Sequence, residues 1–361
     1  MRVGMDFRPA MAPMTGIGRY VRGLAGALAR DGADVRLYAV YLRGNRKEKR
    51  RPPPGTKLVA WRFPARVMNA LGRCGILPAD RALGGCDVFH HTDYVLTEVA
   101  RKTPQVMTVH DLAFLRDPGF HLPRAASTLE GIVRRAAARC EALLVPSEAT
   151  ARDCRELLRA DRVFVTPLGV DEEFFALAPE THRPCALDGP KASPSRPYLL
   201  AVGTLEPRKN FARLIRAHAR SGIDMDLRIA GGPGWLFGDV LEAASAAPRT
   251  RLLGHVPDPE LKRLLAGATA FLYPSLLEGF GLPVLEAMAA GKPVLTSDRE
   301  PLRSLAGDAA ILVDPSDEEA IAQGIRRVVE APPRGGPERA RGYTWARCAA
   351  ATRRAYEAAL T

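Results

Sequence analysis

The sequence predicts an α/β protein of two domains, each built on a parallel sheet with helices on both faces. Short apolar runs of strand length alternate with amphipathic helical segments along most of the chain, which is the pattern of a parallel sheet with helical crossovers. A segment rich in Pro and Ser interrupts this alternation, and 361 residues are enough for two separate cores. We therefore expect a first domain over residues 1–175, a linker over 176–196, a second domain over 197–343 and a last helix over 344–361.

Composition narrows the class of partner. A formal net charge of +12 indicates an anionic partner, which could be nucleic acid, an anionic membrane surface or a phosphorylated substrate. The chain shows neither an arginine-rich tail nor the aromatic and basic signature of RNA-binding modules, and this argues against nucleic acid. Its six cysteines form no CxxC pair, which argues for a reducing compartment and against a zinc site or a disulfide framework.

The hydropathy pattern predicts a soluble, cytoplasmic protein. Residues 1–6 form a strand with an acidic residue and not a signal peptide, and no apolar run approaches the ~20 residues needed to cross a bilayer. A strongly basic run at residues 43–51 is most simply a solvated loop. The alternative is a peripheral contact with the inner face of the plasma membrane, helped by Trp61, Phe63 and the basic segment 66–73. The cations of the run are Arg43, Arg46, Lys47, Lys49, Arg50 and Arg51.

The first domain opens with a strand, a glycine turn and a helix. A strand over residues 2–7 precedes Thr15–Tyr20, which opens an amphipathic helix to about residue 30. Backbone amides at the start of such a helix point toward the turn and can donate to a phosphate. Gly16 and Gly18 are candidate ligand-binding residues for that reason, although a G-x-G pair also occurs where a helix packs closely on a strand.

Two polar groups follow the next strands of this domain. Residues 86–89 run into His90, His91 and Asp93, but adjacent histidines point to opposite sides of an extended chain, so we expect no metal there. The domain then closes with a strand at 105–109, a helix at 123–139, a strand at 142–146, a helix at 147–159 and a strand at 163–166.

The strand at 105–109 is the more informative of the two. It ends abruptly in His110 and Asp111, and ligands of open α/β sheets bind beyond the carboxyl ends of strands. His110 is therefore a candidate ligand contact, with a histidine that caps the core as the alternative. Asp111 is expected to be a structural partner or a minor contributor.

The second domain starts with a strand over 198–203 that delivers Arg208 and Lys209 just before a helix. Arginine offers a planar fork and lysine a point charge, so the pair forms a clamp for a diphosphate. A plain basic turn is the alternative. Asp224 and Asp226 have the D-x-D spacing of a metal site, but they stand at the entry to a strand and not at its carboxyl end, so we interpret them as a polar strand start.

The most informative stretch is Glu-Gly-Phe-Gly-Leu-Pro-Val-Leu-Glu at residues 278–286. It joins an apolar strand at 270–274 to a helix at 284–291. Glu278 lies in the loop and Glu286 near the first helical turn, so both carboxylates can face one crevice beside backbone amides. Glutamate also occurs at helix starts because of the dipole alone, but two such carboxylates cost folding free energy unless a polyol or a cation uses them. Beyond them we expect strands at 292–296 and 310–313 and helices at 318–330 and 344–360.

Glu278, the Gly-Phe-Gly turn and Glu286 resemble the E-x7-E signature of the retaining glycosyltransferases of family 4, which have the GT-B fold. Thr15–Tyr20 and residues 109–118 are similar to the mannosyltransferase-B-like branch of that family. The resemblance extends over essentially the whole chain. It implies two Rossmann-like, doubly wound parallel-sheet domains that face each other across a cleft, with the C-terminal helix crossing back to the first domain.

The resemblance also implies roles for individual residues. The catalytic set comprises His110 and Glu278 at the transferred sugar and Arg208 and Lys209 at the diphosphate, while Glu286 binds ribose hydroxyls. The full donor-binding set is Gly16, Gly18, Gly203, Arg208, Lys209, Val256, Glu278, Gly279, Phe280, Gly281, Leu282 and Glu286, in which Val256 lines the base pocket through backbone groups. The acceptor-binding set is Tyr20, His91, Asp93 and Asp111.

The implied activity is retaining transfer of a hexose from a nucleotide sugar to a saccharide or lipid-linked saccharide in cell-surface glycan synthesis. Mannose from GDP-mannose is favoured, with no cofactor, no metal and no nucleic acid. A front-face mechanism is preferred because no carboxylate is an evident covalent nucleophile. The alternatives are another donor such as a UDP sugar, a sugar-nucleotide epimerase or hydrolase on the same fold, and a non-catalytic sugar-nucleotide-binding module.

Overall fold

The computed structural model describes residues 1–11, 15–41, 51–177 and 196–361. The chain divides into two compact units. The first unit comprises Met1–Leu115, Arg124–Gly169 and Tyr343–Thr361, and the second comprises Arg116–Pro123 and Val170–Gly342.

The first unit is built on seven strands. They are β1 Arg2–Asp6, β2 Asp34–Tyr41, β3 Lys57–Arg62, β4 Val88–His91, β5 Gln105–Thr108, β6 Ala142–Val145 and β7 Val163–Val165. All neighbours pair in parallel, in the order β3-β2-β1-β4-β5-β6-β7. Six helices follow these strands, namely α1 Gly16–Arg30, α2 Ala65–Arg73, α3 Ala79–Ala82, α4 Ala113–Arg116, α5 Pro123–Arg139 and α6 Glu148–Leu158.

Helix starts coincide with capping side chains that the sequence displays. The Thr15 hydroxyl accepts from the Gly18 amide at 3.1 Å and so begins α1. Ser147 caps α6 in the same way through the Thr150 amide at 3.2 Å. A side-chain oxygen at the N-cap satisfies a donor that the helix leaves unpaired, which is why the predicted starts of both helices agree with the structure within one residue.

The second unit has six strands, again all parallel. They are β8 Tyr198–Val202, β9 Asp226–Ala230, β10 Thr250–Gly254, β11 Ala270–Tyr273, β12 Val294–Ser297 and β13 Ile311–Val313, in the order β10-β9-β8-β11-β12-β13. The helices are α7 Glu172–Phe175, α8 Phe211–Ser221, α9 Gly238–Ala246, α10 Asp258–Gly267, α11 Leu282–Ala289, α12 Leu302–Ala306, α13 Glu318–Glu330 and α14 Gly336–Arg341. The predicted α/β class with two doubly wound parallel sheets is confirmed.

The last helix, α15 Trp345–Leu360, belongs to the first unit although the residues just before it belong to the second. The indole of Trp345 lies so close to Gly23 of α1 that a Cβ at that glycine would overlap the ring, and the backbone at Trp345 excludes a Cβ at Gly169 in the same way. Glycine is therefore required at both positions. The prediction that the C-terminal helix crosses back to the first domain is confirmed.

The structure contains one strand that the sequence pattern did not predict. Strand β3 lies at the edge of the first sheet and pairs only with β2. Most of its residues are half-buried or exposed, because an edge strand has a neighbour on one side only. Its sequence therefore shows no continuous apolar run of the kind that marks the buried central strands.

Much of the predicted basic face lies outside the described residues, including Arg43, Arg46, Lys47, Lys49 and Arg50, as do residues 178–195 of the predicted linker. Arg51 is described and exposed. Trp61 and Phe63, at the end of β3, are 38 % and 47 % exposed. Within the described ranges, no helix is long and apolar enough to cross a membrane.

Candidate functional site

Two neighbouring strands position the candidate site of the second unit. Strands β8 and β11 pair in parallel at the middle of the sheet. The chain runs outward from β8 toward β10 and outward from β11 toward β13, so the strand order reverses between them. Ligands of open α/β sheets bind beyond the carboxyl ends of the strands at such a reversal. The turn after β8 carries Arg208 and Lys209, and the loop after β11 carries Glu278.

Glu278 lies between the two predicted phosphate-binding cations. Its Oε1 accepts from the Lys209 ammonium at 2.6 Å, and its Oε2 accepts from Nη1 of Arg208 at 2.8 Å. Lys209 also donates to the Tyr273 hydroxyl at 2.6 Å. Nη2 of Arg208 forms an ion pair with Oε1 of Glu206 at 2.8 Å. The structure thus assembles two carboxylates and two cations in one buried cluster.

The cluster holds its carboxylate ionised. Burial alone would raise the pKa of Glu278, but the charges of Lys209 and Arg208, with hydrogen bonds from Lys209 and Ser275, lower that pKa to about 2. Opposite charges within hydrogen-bond distance favour the charged form, and in a buried site this attraction outweighs the cost of desolvation. Glu278 is therefore an anion at neutral pH, and the cluster contains paired charges that a bound anion could exchange.

Backbone contacts tie the two loops together. The Arg208 carbonyl accepts from the Leu276 amide at 2.7 Å. Asn210, which follows Lys209 in the left-handed conformation with φ of 63°, donates from its side chain to the carbonyls of Pro274 and Pro315 at 2.9 and 2.7 Å. The contacts with Leu276 and Pro274 join the loop after β8 to the loop after β11, and the contact with Pro315 joins it to the loop after β13. The cations and Glu278 are therefore held at a fixed separation.

The glycine turn that follows Glu278 has a steric reason. Gly281 has a φ of 106°, a region that glycine adopts readily, and it forms the N-cap of α11. A Cβ there would overlap the Leu302 side chain. The helix starts at Leu282, two residues before the predicted helix at 284–291, so Pro283 takes the second helical position. Of the neighbouring predicted donor-binding residues, Gly279 and Phe280 lie in the turn itself.

Glu286 lies on α11, in its second turn, and its residue is 6 % exposed. Its burial on a helix that starts from the glycine turn agrees with a protected binding position. Val256 is 8 % exposed and precedes Pro257, the N-cap of α10. Gly203 lies at the end of β8 with a φ of 157°, and the contact of its carbonyl with Gly231 leaves no room for a Cβ at Gly231.

The two glycines at the start of α1 differ in how closely they are packed. A Cβ at Gly18 would lie 3.0 Å from the Pro9 carbonyl oxygen, so this glycine is explained by close packing of the helix. A Cβ at Gly16 would meet none of the described atoms within 4 Å. Packing therefore does not require a glycine at position 16, which agrees with the alternative of a backbone that a ligand approaches.

His110 is half-buried beyond the end of β5 in the first unit. Its Nε2 is 2.9 Å from the Thr92 carbonyl, and since a carbonyl can only accept, Nε2 carries the proton. In the neutral tautomer with its proton on Nε2, the ring has an acceptor in Nδ1. Asp111 accepts from the Ala113 amide through Oδ1 at 3.0 Å, which supports its interpretation as a structural partner.

Two of the predicted acceptor residues, Tyr20 and His91, are fully buried. The Tyr20 hydroxyl is 2.7 Å from the Thr108 hydroxyl. Nε2 of His91 donates to the Gln105 side-chain oxygen at 3.1 Å, and its Nδ1 accepts from a backbone amide. Neither side chain presents a polar atom to solvent, so neither can reach an acceptor in this structure. Asp93 is only half-buried, and its Oδ1 accepts from the next backbone amide at 2.7 Å.

The sequence analysis missed two members of the charged cluster, Glu206 and Tyr273. Glu206 stands two residues before Arg208, and a carboxylate so close to a predicted anion clamp was a usable signal. Tyr273 ends the strand that leads to Glu278. The D-x-D pair takes no part in this cluster, since Asp226 begins β9 and Asp224 pairs with Arg196 and Arg249. Within the described residues, no group of three or more His, Cys, Asp or Glu could hold a metal ion.

Comparison with protein families assigns both halves of the chain. Residues 14–174 match the model for Glycosyltransferase Family 4, and residues 188–344 match the model for Glycosyl transferases group 1. The two models together extend over most of the sequence, and the site described above falls within the second match.

Two curated relatives align with most of the chain. The chain is 28 % identical to O-antigen chain mannosyltransferase B of Escherichia coli, over 99 % of this chain and 100 % of the relative. It is 27 % identical to the MMP alpha-(1->4)-mannosyltransferase of Mycolicibacterium hassiacum, over 82 % of this chain and 76 % of the relative.

Solved structures agree on the fold. Sucrose-phosphate synthase from Thermosynechococcus elongatus superposes with a TM-score of 0.74 at 20 % identity, over 99 % of this chain and 98 % of that one. The Anabaena protein HepE in complex with UDP and glucose superposes with a TM-score of 0.68 at 16 % identity, over 99 % and 95 %. The family matches, the relatives and the two doubly wound sheets lead to one conclusion: the chain belongs to glycosyltransferase family 4 and is a hexosyltransferase with the GT-B fold.

Proposed function

We propose that this glycosyltransferase moves mannose from GDP-mannose, with retention of configuration, to a saccharide or lipid-linked saccharide acceptor of cell-surface glycan synthesis. The observation that carries the proposal is the ionised cluster at the reversal point of the second sheet, in which Glu278 joins Arg208 to Lys209. A nucleotide sugar presents a diphosphate to the two cations and sugar hydroxyls to the carboxylate. This cluster is buried, whereas the ion pairs that follow β12 and β13, Arg303 with Asp298 and Arg299 with Asp314, are exposed.

The diphosphate is the part of the donor that the cations suit best. Arg208 offers a planar fork and Lys209 a compact ammonium, and both side chains are held by neighbours before any ligand arrives. Charge that develops on the leaving diphosphate is stabilised most when donors are already oriented. Arg208 and Lys209 therefore assist departure of the nucleotide without a metal ion.

The sugar is assigned to Glu278 and His110. An ionised carboxylate accepts strong hydrogen bonds from sugar hydroxyls, and in the neutral tautomer that donates from Nε2 to the Thr92 carbonyl, Nδ1 of His110 is an acceptor. Both groups are acceptors, as the hydroxyls of a hexose require. Transfer then follows a front-face course in which the leaving phosphate takes the proton of the acceptor hydroxyl.

Mannose is supported by the relatives and not by the geometry. The curated relatives that match most of this chain include two mannosyltransferases. The solved HepE structure contains UDP and glucose, but at 16 % identity it supports the fold alone. A UDP sugar is therefore the competing donor, and the two must be separated by measurement.

Isothermal titration with GDP-mannose, UDP-glucose and UDP-galactose tests the donor. We expect binding of GDP-mannose and at least tenfold weaker binding of the UDP sugars. Binding of UDP sugars alone would overturn the guanosine assignment.

Activity that EDTA abolishes and magnesium or manganese restores would contradict the metal-independent mechanism. Turnover of the donor at an equal rate with and without an acceptor would favour a hydrolase.

A lipid-linked acceptor is supported by the surface around β3. Exposed Trp61 and Phe63 stand beside Arg62, and Arg51 is close along the chain. Aromatic rings and cations together suit the interface of an anionic bilayer. We expect cosedimentation with vesicles that contain anionic phosphatidylglycerol, reduced at high salt and in the variant Trp61→Ser/Phe63→Ser. Vesicle binding that neither high salt nor the double substitution reduces would mean that this surface does not contact the membrane.

A further inference from the structure

Glu206 is a buried carboxylate whose role in this site is not explained by the diphosphate clamp. It is 3 % exposed and stands directly before the 3-10 turn Pro207–Lys209. Its Oε1 pairs with Nη2 of Arg208 at 2.8 Å, while Nη1 of the same guanidinium pairs with Glu278 at 2.8 Å. The two terminal nitrogens of one arginine are thus held by two different carboxylates.

The two carboxylates differ in what they can do when a donor arrives. Glu278 is also paired with Lys209, and under the proposed function its oxygens bind sugar hydroxyls. As Glu278 turns to the sugar, Nη1 of Arg208 becomes available to a phosphate oxygen. Glu206 pairs with Nη2 and has no sugar to bind, so its contact with Arg208 can persist in the loaded site.

We propose that Glu206 is a positioning residue that keeps the fork of Arg208 turned toward the donor diphosphate while Glu278 is occupied by the sugar. This inference rests on the proposed function, because it requires that Arg208 binds phosphate. Glu206 acts through Arg208 and does not itself touch the donor. Its backbone contributes to the same geometry, since the Glu206 carbonyl accepts from the Lys209 amide at 3.1 Å.

Electrostatics alone predicts the opposite effect, and this makes the role testable. A carboxylate near a phosphate site repels the incoming anion, so removing its charge should strengthen anion binding. If Glu206 serves only as a counter-charge for the fold, Glu206→Gln will bind a diphosphate as well as the native protein or better. If Glu206 orients Arg208, the same substitution will weaken binding because a misdirected fork loses its paired hydrogen bonds.

The experiment compares two charge-matched substitutions, Glu206→Gln and Glu278→Gln, by titration with GDP and with UDP, which carry the diphosphate but no sugar. For the nucleotide that the native protein binds, we expect about tenfold weaker affinity in Glu206→Gln. We expect equal or tighter affinity in Glu278→Gln, where a competitor for both cations is lost. Affinity in Glu206→Gln equal to or above the native value overturns the inference.

A double-mutant cycle with Arg208→Lys shows whether Glu206 acts through the guanidinium. Lysine has no fork to orient, so adding Glu206→Gln to that variant should change affinity less than twofold. A full tenfold loss in the lysine background would refute the inference. The thermal unfolding midpoint of each variant identifies loss of fold, and if Glu206→Gln is unfolded, Glu206→Asp replaces it. The aspartate keeps the charge but not the reach, so the same loss is expected there.

The outcome for the native protein separates this inference from the proposed function. Failure of the native chain to bind GDP, UDP and GDP-mannose alike would contradict the nucleotide-sugar assignment itself. Native binding together with undiminished binding by Glu206→Gln would contradict the positioning role alone.

Discussion

The two units each bury a polar cluster close to a predicted site residue, and the clusters differ in charge: one is made of paired ions and the other of neutral groups. In the second unit, Glu278, Arg208, Lys209 and Glu206 form a group of paired ions. In the first unit, fully buried His90 lies 2.7 Å from both the Tyr356 and the Thr108 hydroxyls.

The cluster of the first unit extends to the neighbourhood of His110. Thr108 also meets the Tyr20 hydroxyl at 2.7 Å, and the Tyr20 ring packs edge-on against His110 with centroids 5.2 Å apart. The four side chains Tyr356, His90, Thr108 and Tyr20 thereby join α15, β4, β5 and α1. We call them the histidine network, and the four ions of the second unit the ion cluster.

A lowered pKa has opposite consequences in the two places. Burial lowers the pKa of His90 to about 3, with further lowering by His91 and His110, so the imidazole is neutral. The cations beside Glu278 lower its pKa to about 2 against the effect of burial, so that carboxylate is charged. Paired ions can exchange partners with a charged ligand, whereas a neutral network with its hydrogen bonds made holds elements in place. We therefore expect the ion cluster to control kinetics and the histidine network to control stability.

The largest expected effect is a loss of stability at mildly acidic pH, which comes from buried histidines and not from the ion cluster. The unfolded chain protonates histidine near pH 6.5, whereas burial lowers the folded pKa of His90 to about 3 and that of His91 to about 4. The unfolded state therefore takes up more protons as the pH falls below 6.5, and stability decreases. At pH 5 the loss is about 2 kcal/mol for each histidine, because one pKa unit corresponds to about 1.4 kcal/mol.

Urea unfolding at pH 7.5 and at pH 5.0 measures this loss. Glu278 adds to it only below about pH 4.5, since its folded pKa of about 2 lies below the ordinary value of 4.5 and the unfolded state alone binds the proton in between. Equal unfolding free energies at pH 7.5 and 5.0 would show that the two histidines are protonated in the folded protein.

The next largest effect is expected from Glu278→Gln. The amide keeps the shape but loses the charge that, under the proposed function, holds the sugar hydroxyls and stabilises a ring that becomes positive as the glycosidic bond breaks. We expect kcat to fall about 100-fold, in the range found when one oriented transition-state contact is removed. Steady-state kinetics measures it, with His110→Ala expected to lower kcat in the same direction. A change confined to KM would mean that Glu278 binds a part of the donor that does not react.

A smaller effect is expected from Glu286→Gln. This residue is assigned to the ribose, which does not react, so its loss affects the ground state and the transition state alike. We expect KM for the donor to rise about tenfold with kcat within twofold, as for loss of a hydrogen bond to a charged group. Abolished turnover in this variant would exchange the assignments of the two glutamates.

The smallest effect is expected from Tyr356→Phe, which removes one hydrogen bond of the histidine network and keeps the ring. The free energy of unfolding should fall by about 1 kcal/mol, while GDP affinity and kcat stay within twofold. Chemical denaturation and titration on the same preparation give both values. A tenfold loss of kcat without loss of stability would place the network in catalysis and remove the contrast between the clusters.

Helix ends could be predicted from the sequence, whereas an exposed edge strand could not. Helices α5 and α13 begin and end where local signals place them, and α1 and α15 differ by one residue, because capping side chains and helical periodicity are local. Strand β3 escaped prediction since an exposed edge shows no continuous apolar run.

The site was predictable in composition and not in pairing. The E-x7-E signature identified Glu278, but its partners Arg208 and Lys209 stand 70 and 69 positions earlier in the chain, and only the pairing of β8 with β11 brings them together. Tyr20 and His91 show what the motif did not indicate. The hydroxyl of Tyr20, in α1, lies on Thr108 of β5, and His91 lies in β4 of a parallel sheet, whose strands are buried on both faces. Nothing in the sequence beside the motif indicated that these side chains point into the core.

The packing of Trp345 against Gly23 and Gly169 has a consequence for the order in which the chain can fold during its synthesis. The first unit emerges early from the ribosome, yet the helix that covers α1 and supplies the Tyr356 partner of His90 is translated only after the whole second unit. Until then, α15 covers neither the surface of α1 at Gly23 nor the Nδ1 atom of His90. The part of the chain made first is therefore completed last, and closing it requires a contact that spans 266 residues. Contacts so distant in sequence form slowly, so the first unit reaches its final packing only after the second has been translated.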